Sequence, residues 1–225
     1  MVSVQIKIPN WLDWIFALPV MVYRRWKYGY VFRKIPLGDG LYTIVDPSDY
    51  YLFGKFRWVA KSSRCNLYAV RFLNEPGKMA TLVSLHRVIL NPPPNLLVDH
   101  KNCHSLDNRR GNIRLATPLQ NVYNKSKTRS KTSSKFIGVC REKRSGRWVV
   151  YIKHHRKTIY IGGFDSEIVA ARAYDTAAKK YHGEFAKLNF PERSEAHSVL
   201  ICEALSFGLH KSAGGGSLLF CPASK

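Results

Sequence analysis

The sequence predicts an α+β protein made of two small units in tandem. Three observations carry this expectation. Residues 98–121 read as strand, loop, strand and helix. Residues 135–191 read as three short strands followed by one helix. Between them, KSKTRSKTSS at 125–134 has no apolar residue and no acid, so it builds no core. The 225 residues leave room for two such units, and a hydrophobic content of 45% excludes a disordered chain.

In order along the chain, residues 1–34 form an aromatic and basic leader. Trp11–Tyr23 is its longest apolar stretch, interrupted by Asp13 and Pro19. It is shorter than the about 20 residues that cross a bilayer, so a packed segment is expected and membrane contact is not. Residues 35–124 form the first unit. Its strand candidates are LYTIV, NLYAVRFL and ATLVSLHRVIL, the last turning from strand into helix near Ser84. Asp46-Pro47 reads as a helix start. Residues 125–134 are a linker whose Lys125, Lys127, Arg129 and Lys131 suit phosphate contact. Residues 135–191 form the second unit. The tail, 192–225, holds one candidate helix at Ser194–Leu205 and then a glycine-rich stretch.

Charge narrows the function. Lys plus Arg is 36 against 15 for Asp plus Glu, a net +21. A polyanionic partner follows, nucleic acid before an acidic membrane. The five cysteines are widely spaced and contain no Cys-x-x-Cys pair, which excludes a disulfide framework and a Cys-rich zinc module. A reducing cytoplasm is expected.

The run VDHKNCHSLDNRRGNIRLATPLQN, from Val98 to Asn121, is the most informative. A strand ends at Asp99-His100, and a second covers Asn112–Ala116. Thr117 caps a helix, with Pro118 in its first turn and Gln120 completing a capping box. This order predicts that Asp99, His100 and Asn121 converge. Asp99 is a hard anionic oxygen ligand and Asn121 offers a neutral carbonyl oxygen. Together with waters they suit Mg2+, or another divalent cation such as Mn2+. His100, with an ordinary pKa of about 6.5, suits a general base. Asn112 suits tying the loop to backbone.

This run resembles the HNH endonuclease motif in the form found in phage and intron homing endonucleases. The resemblance implies a ββα-metal fold and hydrolysis of a DNA phosphodiester. Asp99 matches the first metal ligand, His100 the general base, Asn112 the middle structural Asn and Asn121 the last ligand. Leu85-His86-Arg87 resembles the short helix that precedes the motif, giving His86 a packing or phosphate-contact role. Cys103-His104 is expected to be loop filler.

In the second unit, Arg147–Lys153 alternates. Trp148, Val150 and Ile152 are expected on one face, Arg147, Val149, Tyr151 and Lys153 on the other. Lys135–Arg144 is a first strand candidate. Thr158–Ile161 is a third strand ended by Gly162-Gly163, with Tyr160 outward. Asp165 or Ser166 caps a helix that runs to about His182 and stops at Gly183. Ala170, Ala171, Tyr174, Ala178 and Tyr181 supply its apolar stripe. Arg147, Tyr151, Lys153 and Tyr160 then form a basic and aromatic face suited to DNA. FIGV at 136–139, GRWVVYIK at 146–153 and IGGFDSEIVAARAYDTAAKKYHGEFAKLNFP at 161–191 are similar to the APETALA-two/ethylene-response-factor domain. That resemblance implies a sheet in the major groove, with Lys153 and Tyr160 at contact positions. Ile137 and Cys140 stand where the plant proteins use arginine, and Tyr151 where they use glutamate, so the plant target sequence is not implied.

Together these readings predict a site-directed DNA endonuclease that acts on double-stranded DNA with one divalent cation and no small-molecule cofactor. A mobile-element product of a bacterium or phage, cytoplasmic and nucleoid-associated, is the implied setting. The alternative is a non-catalytic DNA-binding regulator with a degenerate nuclease fold.

Overall fold

The computed structural model describes residues 10–63, 66–73, 77, 79–126 and 133–191. The chain folds into two compact units. Residues up to 91 and 104–113 belong to the first, and 92–103 with 114–196 to the second.

The first unit opens with α1 (Asn10–Tyr28). The expectation of a packed leader is corrected here. Met21 is buried, but Phe16, Val22 and Trp26 are exposed, Trp26 at 82%. The apolar sector of this helix is wider than the single face that its neighbours cover. No described helix is long and apolar enough to cross a membrane. A hairpin follows, β1 (Arg33–Gly38) with β2 (Leu41–Val45), and then α2 (Pro47–Phe53). Next comes an antiparallel meander of β3 (Val59–Ser63), β4 (Asn66–Leu73) and β5 (Thr81–Ser84). Its last strand turns at Ser84 into α3 (Leu85–Leu90). Ile35, Ile44, Val45 and Leu85 are almost wholly buried. Each such side chain contributes about 1.5–3 kcal/mol by leaving water.

The polar loop 104–113 is bonded into this unit. Ile44 donates its N–H to Leu106 O at 3.0 Å, and Asn108 donates its own to Ile44 O at 2.8 Å. Thr43 Oγ1 donates to Leu106 O at 2.7 Å and accepts from Asn108 Nδ2 at 2.7 Å. Asp46 does precede α2, but its side chain makes no cap bond. Its carboxylate instead accepts the Arg110 N–H at 2.7 Å.

The second unit contains a two-stranded sheet of β6 (Leu97–His100) and β7 (Ile113–Ala116), then α4 (Pro118–Tyr123). Thr117 and Gln120 form the reciprocal capping box. A second sheet, in the order β10-β9-β8, comprises β8 (Val139–Arg141), β9 (Trp148–His154) and β10 (Lys157–Phe164). One face packs on α5 (Glu167–His182), which leads into a 3-10 turn at Gly183–Phe185. Val139, Val150 and Ile152 meet Ala170, Ala171, Tyr174 and Ala178 in a continuous core. The alanines let helix and sheet approach closely. Burial, aided by the neighbouring Asp175 charge, pushes the Tyr174 phenol up to about 12.

Four details correct the sequence reading. β8 is short because the chain before it bonds elsewhere: Ile137 N donates to Asn189 Oδ1 at 2.7 Å, and Gly138 takes a φ of 72°. β10 does not stop at Gly162-Gly163. A bulge between Tyr160 and Gly162 shifts the register and the strand continues to Phe164. Val149 keeps the face expected for it, beside Arg147 and Tyr160, yet is buried there rather than solvent-facing, because it lies in the central strand between Cys140 and Gly163. Ser166 precedes α5 without a side-chain cap bond. The candidate helix at Ser194–Leu205 lies outside the described residues.

Candidate metal centre and nucleic-acid interface

β6 carries Asp99 and His100 at its end, where both are buried. A buried carboxylate needs partners, since an isolated one would cost several kcal/mol. Asp99, 5% exposed, has two. Arg114, on the neighbouring strand β7, donates from Nε to Oδ2 at 2.9 Å, and its Nη2 lies 2.9 Å from the same oxygen. Asn124, just past α4, donates its amide to Oδ1 and Oδ2, both at 3.0 Å, and to His100 O at 2.8 Å. The Asn124 backbone carbonyl in turn faces Cys103 Sγ at 3.0 Å. The capping box fixes the start of α4, and these bonds fix its end.

The residues singled out in the sequence fall as follows. Asn121 lies on α4, half-buried, with its N–H donated to Thr117 O. The amide that reaches Asp99 is that of Asn124, three residues further on. Asn112 is buried and donates Nδ2 to Asp107 O at 2.8 Å, within the loop of the first unit. His86, on α3 of that unit, is buried with its ring 5.5 Å from that of Tyr68. Asn124 and Arg114 were not singled out. One signal for Arg114 is available: an acid at the end of one strand calls for a cation on the strand paired with it.

A second cluster anchors α4. Tyr123 stacks on His182 with ring centres 3.8 Å apart and planes 8° apart, and its hydroxyl lies 3.3 Å from His154 Nδ1. His182 donates Nε2–H to Lys153 O at 2.8 Å, while its buried Nδ1 has no hydrogen-bond partner among the described residues. Burial pulls the His182 pKa below its ordinary value. The bond to Lys153 opposes this and the nearby His154 adds to it.

Among the described residues, no group of three or more His, Cys, Asp and Glu is arranged to hold a metal. The donor set around Asp99 still fits a hydrated hard cation. Oδ2 receives the Arg114 donors, whereas among the described residues Oδ1 accepts only from Asn124 and keeps lone-pair capacity for a cation.

On the sheet face away from α5, Tyr151 and Tyr160 are directly paired across strands, with ring centres 5.5 Å apart. Tyr160 is 57% exposed, and Lys153 is exposed beside Thr158. This face offers stacking area, hydroxyls and a cation together. Arg147, also exposed, pairs with Asp165 at 3.0 Å. Lys125 is exposed, while Lys127, Arg129 and Lys131 lie outside the described residues.

The family model of the AP2 domain matches residues 134–184. An uncharacterized HNH endonuclease of Acanthamoeba polyphaga mimivirus is 30% identical over 160 residues, covering 70% of this chain and 80% of that protein. An AP2-like ethylene-responsive transcription factor of Arabidopsis thaliana is 42% identical over 73 residues, 32% of this chain but 15% of its own length. An APETALA2-like protein of Oryza sativa is 48% identical over 58 residues, 26% of this chain and 13% of its own. The plant likeness is thus a likeness of one domain, whereas the viral likeness spans most of both chains. The chain belongs to the HNH endonuclease family and carries an AP2 domain at residues 134–184.

Proposed function

We propose that this protein hydrolyses a phosphodiester of double-stranded DNA, with the AP2 sheet supplying affinity and register and residues 35–124 forming the nuclease domain. The observation that carries the reading is the buried Asp99 carboxylate, oriented by two partners at the end of a strand and next to His100. Asp99 and Asn121 would hold a hydrated Mg2+ or Mn2+. Such a cation stabilises negative charge on the phosphate and on the leaving oxygen. His100 takes a proton from the attacking water. The water oxygen bonds to phosphorus as one phosphorus–oxygen ester bond breaks, and the departing oxygen is protonated. Tyr151, Lys153 and Tyr160 present the sheet to the major groove, with Arg147 and the linker cations Lys125, Lys127, Arg129 and Lys131 on phosphates. A role for Asn112 in holding the loop, and for His86 in packing, completes the assignment.

One observation favours a second reading, a protein that only grips DNA: both Asp99 oxygens already have partners within the protein. Supercoiled plasmid separates the two. Wild-type protein is expected to nick it with Mg2+ or Mn2+ and not with EDTA. His100→Ala is expected to lose about 100-fold or more of the rate while binding the same DNA equally well. Equal cleavage by His100→Ala refutes the mechanism, and inert wild-type protein leaves the gripping protein.

A further inference from the structure

We infer that Arg114 is a positioning residue that ties the Asp99 carboxylate to the AP2 unit, so that the metal centre depends on the turn ending the AP2 helix. The inference rests on the nuclease reading above and adds a residue and a coupling to it. Arg114 is nearly buried and its fork is divided between two targets. Nε and Nη2 hold Asp99 Oδ2, and Nη1 donates to the backbone carbonyl of Glu184 at 2.6 Å. The guanidinium lies 3.9 Å above the ring of Phe185, in the same Gly183–Phe185 turn. A carbonyl, a ring and a carboxylate therefore fix three sides of one rigid planar cation.

Two physical effects compete at this position. The positive charge of Arg114 repels a dication, while its two bonds to Oδ2 hold the carboxylate plane and leave Oδ1 directed elsewhere. Partners that orient a ligand in this way are typically worth about 10–100-fold in metal affinity. The division of donors favours orientation: both bonds to Asp99 fall on one oxygen, and the third donor anchors the guanidinium to backbone rather than to a second acid. The Glu184 carboxylate is 3.9 Å away and itself largely exposed. Tyr123 on His182 fixes α4 to the same region, so β7 and α4 are both docked on AP2 residues.

The test uses full-length protein on a His100→Ala background, with Mn2+ titrated calorimetrically into protein alone and into its complex with a DNA duplex. Asp99→Ala defines which binding belongs to this centre. Arg114→Gln is expected to weaken that binding by about 10-fold or more. Arg114→Lys should recover only part of the loss, because one ammonium does not reproduce the fork. Phe185→Leu, which leaves Asp99 and its bonds in place, should weaken it about 3-fold, less than loss of a direct partner. Metal-free DNA affinity should stay within about 2-fold, since Arg114 is not on the sheet face. If Arg114→Gln does not fold, the Lys and Leu variants decide. Mn2+ binding as tight as wild type in the variants that fold, or tighter, overturns the inference. Identical isotherms for Asp99→Ala and its parent, with and without DNA, overturn the metal reading as well, a pattern distinct from failure of the Arg114 role alone.

Discussion

Asn124→Ala is the most direct probe of the site's architecture. The wild-type amide donates to both oxygens of Asp99 and to the carbonyl of His100, at 3.0, 3.0 and 2.8 Å. A hydrogen bond to a charged group is worth about 1.5–3 kcal/mol net, and one between neutral groups about 1 kcal/mol. Both are made in a buried setting, so the acceptors left behind are not freely re-solvated. The expected loss is about 3 kcal/mol, concentrated where β6 meets the end of α4. Native-state hydrogen exchange reads this locally: amides of β6 and α4 should exchange on the order of 100-fold faster, whereas those of the β3–β5 meander in the other unit should not change. Asn124→Asp sharpens the test. It keeps the shape, removes the donor and sets a second carboxylate against Asp99, so its deficit at neutral pH should exceed that of Asn124→Ala. Exchange within about 3-fold of wild type for Asn124→Ala would show that the amide does not hold the carboxylate.

Gly138→Ala should prevent stable folding of the AP2 unit: φ is 72°, and a Cβ would stand 2.1 Å from the Tyr174 ring and 2.8 Å from Tyr151 O. The cost exceeds about 3 kcal/mol, and loss of the cooperative thermal transition of that unit is the measurement. The second expectation concerns acid. His182 has its folded pKa lowered, first by burial, so the folded unit binds fewer protons than the unfolded chain. Its contribution is fully present above the unfolded value of about 6.5 and is lost as pH falls through the folded value. Denaturant unfolding between pH 8 and 5 should show this decline, and His182→Gln should flatten it.

Most of the fold was legible because its signals are local. The Thr117–Gln120 box, the strand-to-helix turn at Ser84 and the stop at Gly183 each depend on a few neighbouring residues, and each is present. The expectations that failed depend on distant residues. Asp46 has the sequence of a cap, but Arg110, far along the chain, takes its carboxylate. Lys135–Ile137 has the composition of a strand, but Asn189 takes the Ile137 N–H. Gly162-Gly163 reads as a strand end until a bulge absorbs the extra residue. The anchoring of Asp99 by Asn124 was hidden for the same reason. Asn124 follows the helix and touches no local motif, and only the closed hairpin brings it to Asp99.

The arginines of the nuclease motif show why charge alone misplaces a DNA contact. Asp107-Asn108-Arg109-Arg110-Gly111-Asn112-Ile113-Arg114 looks like a basic patch in a chain of net charge +21. Each of its arginines is instead paired with a buried acid: Arg109 with Asp107 at 2.6 Å, Arg110 with Asp49 at 2.8 Å and Arg114 with Asp99 at 2.9 Å. Burial is the strongest single influence and works against the Arg109 charge, but the Asp107 hydrogen bonds and charge, joined by Tyr30 and Asp46, together outweigh it and hold the pKa above its ordinary value. Arg109 also lies 3.3 Å over the Tyr30 ring. Removing any one of these cations would take the charged partner from a buried carboxylate, at a cost of up to about 3–5 kcal/mol, before it altered a phosphate contact. A weakened DNA complex after such a substitution would therefore report damage to the fold. The cations to test for DNA are those whose charge faces solvent without a buried acid beneath them, and Lys153, next to the Tyr151–Tyr160 pair, is foremost among them.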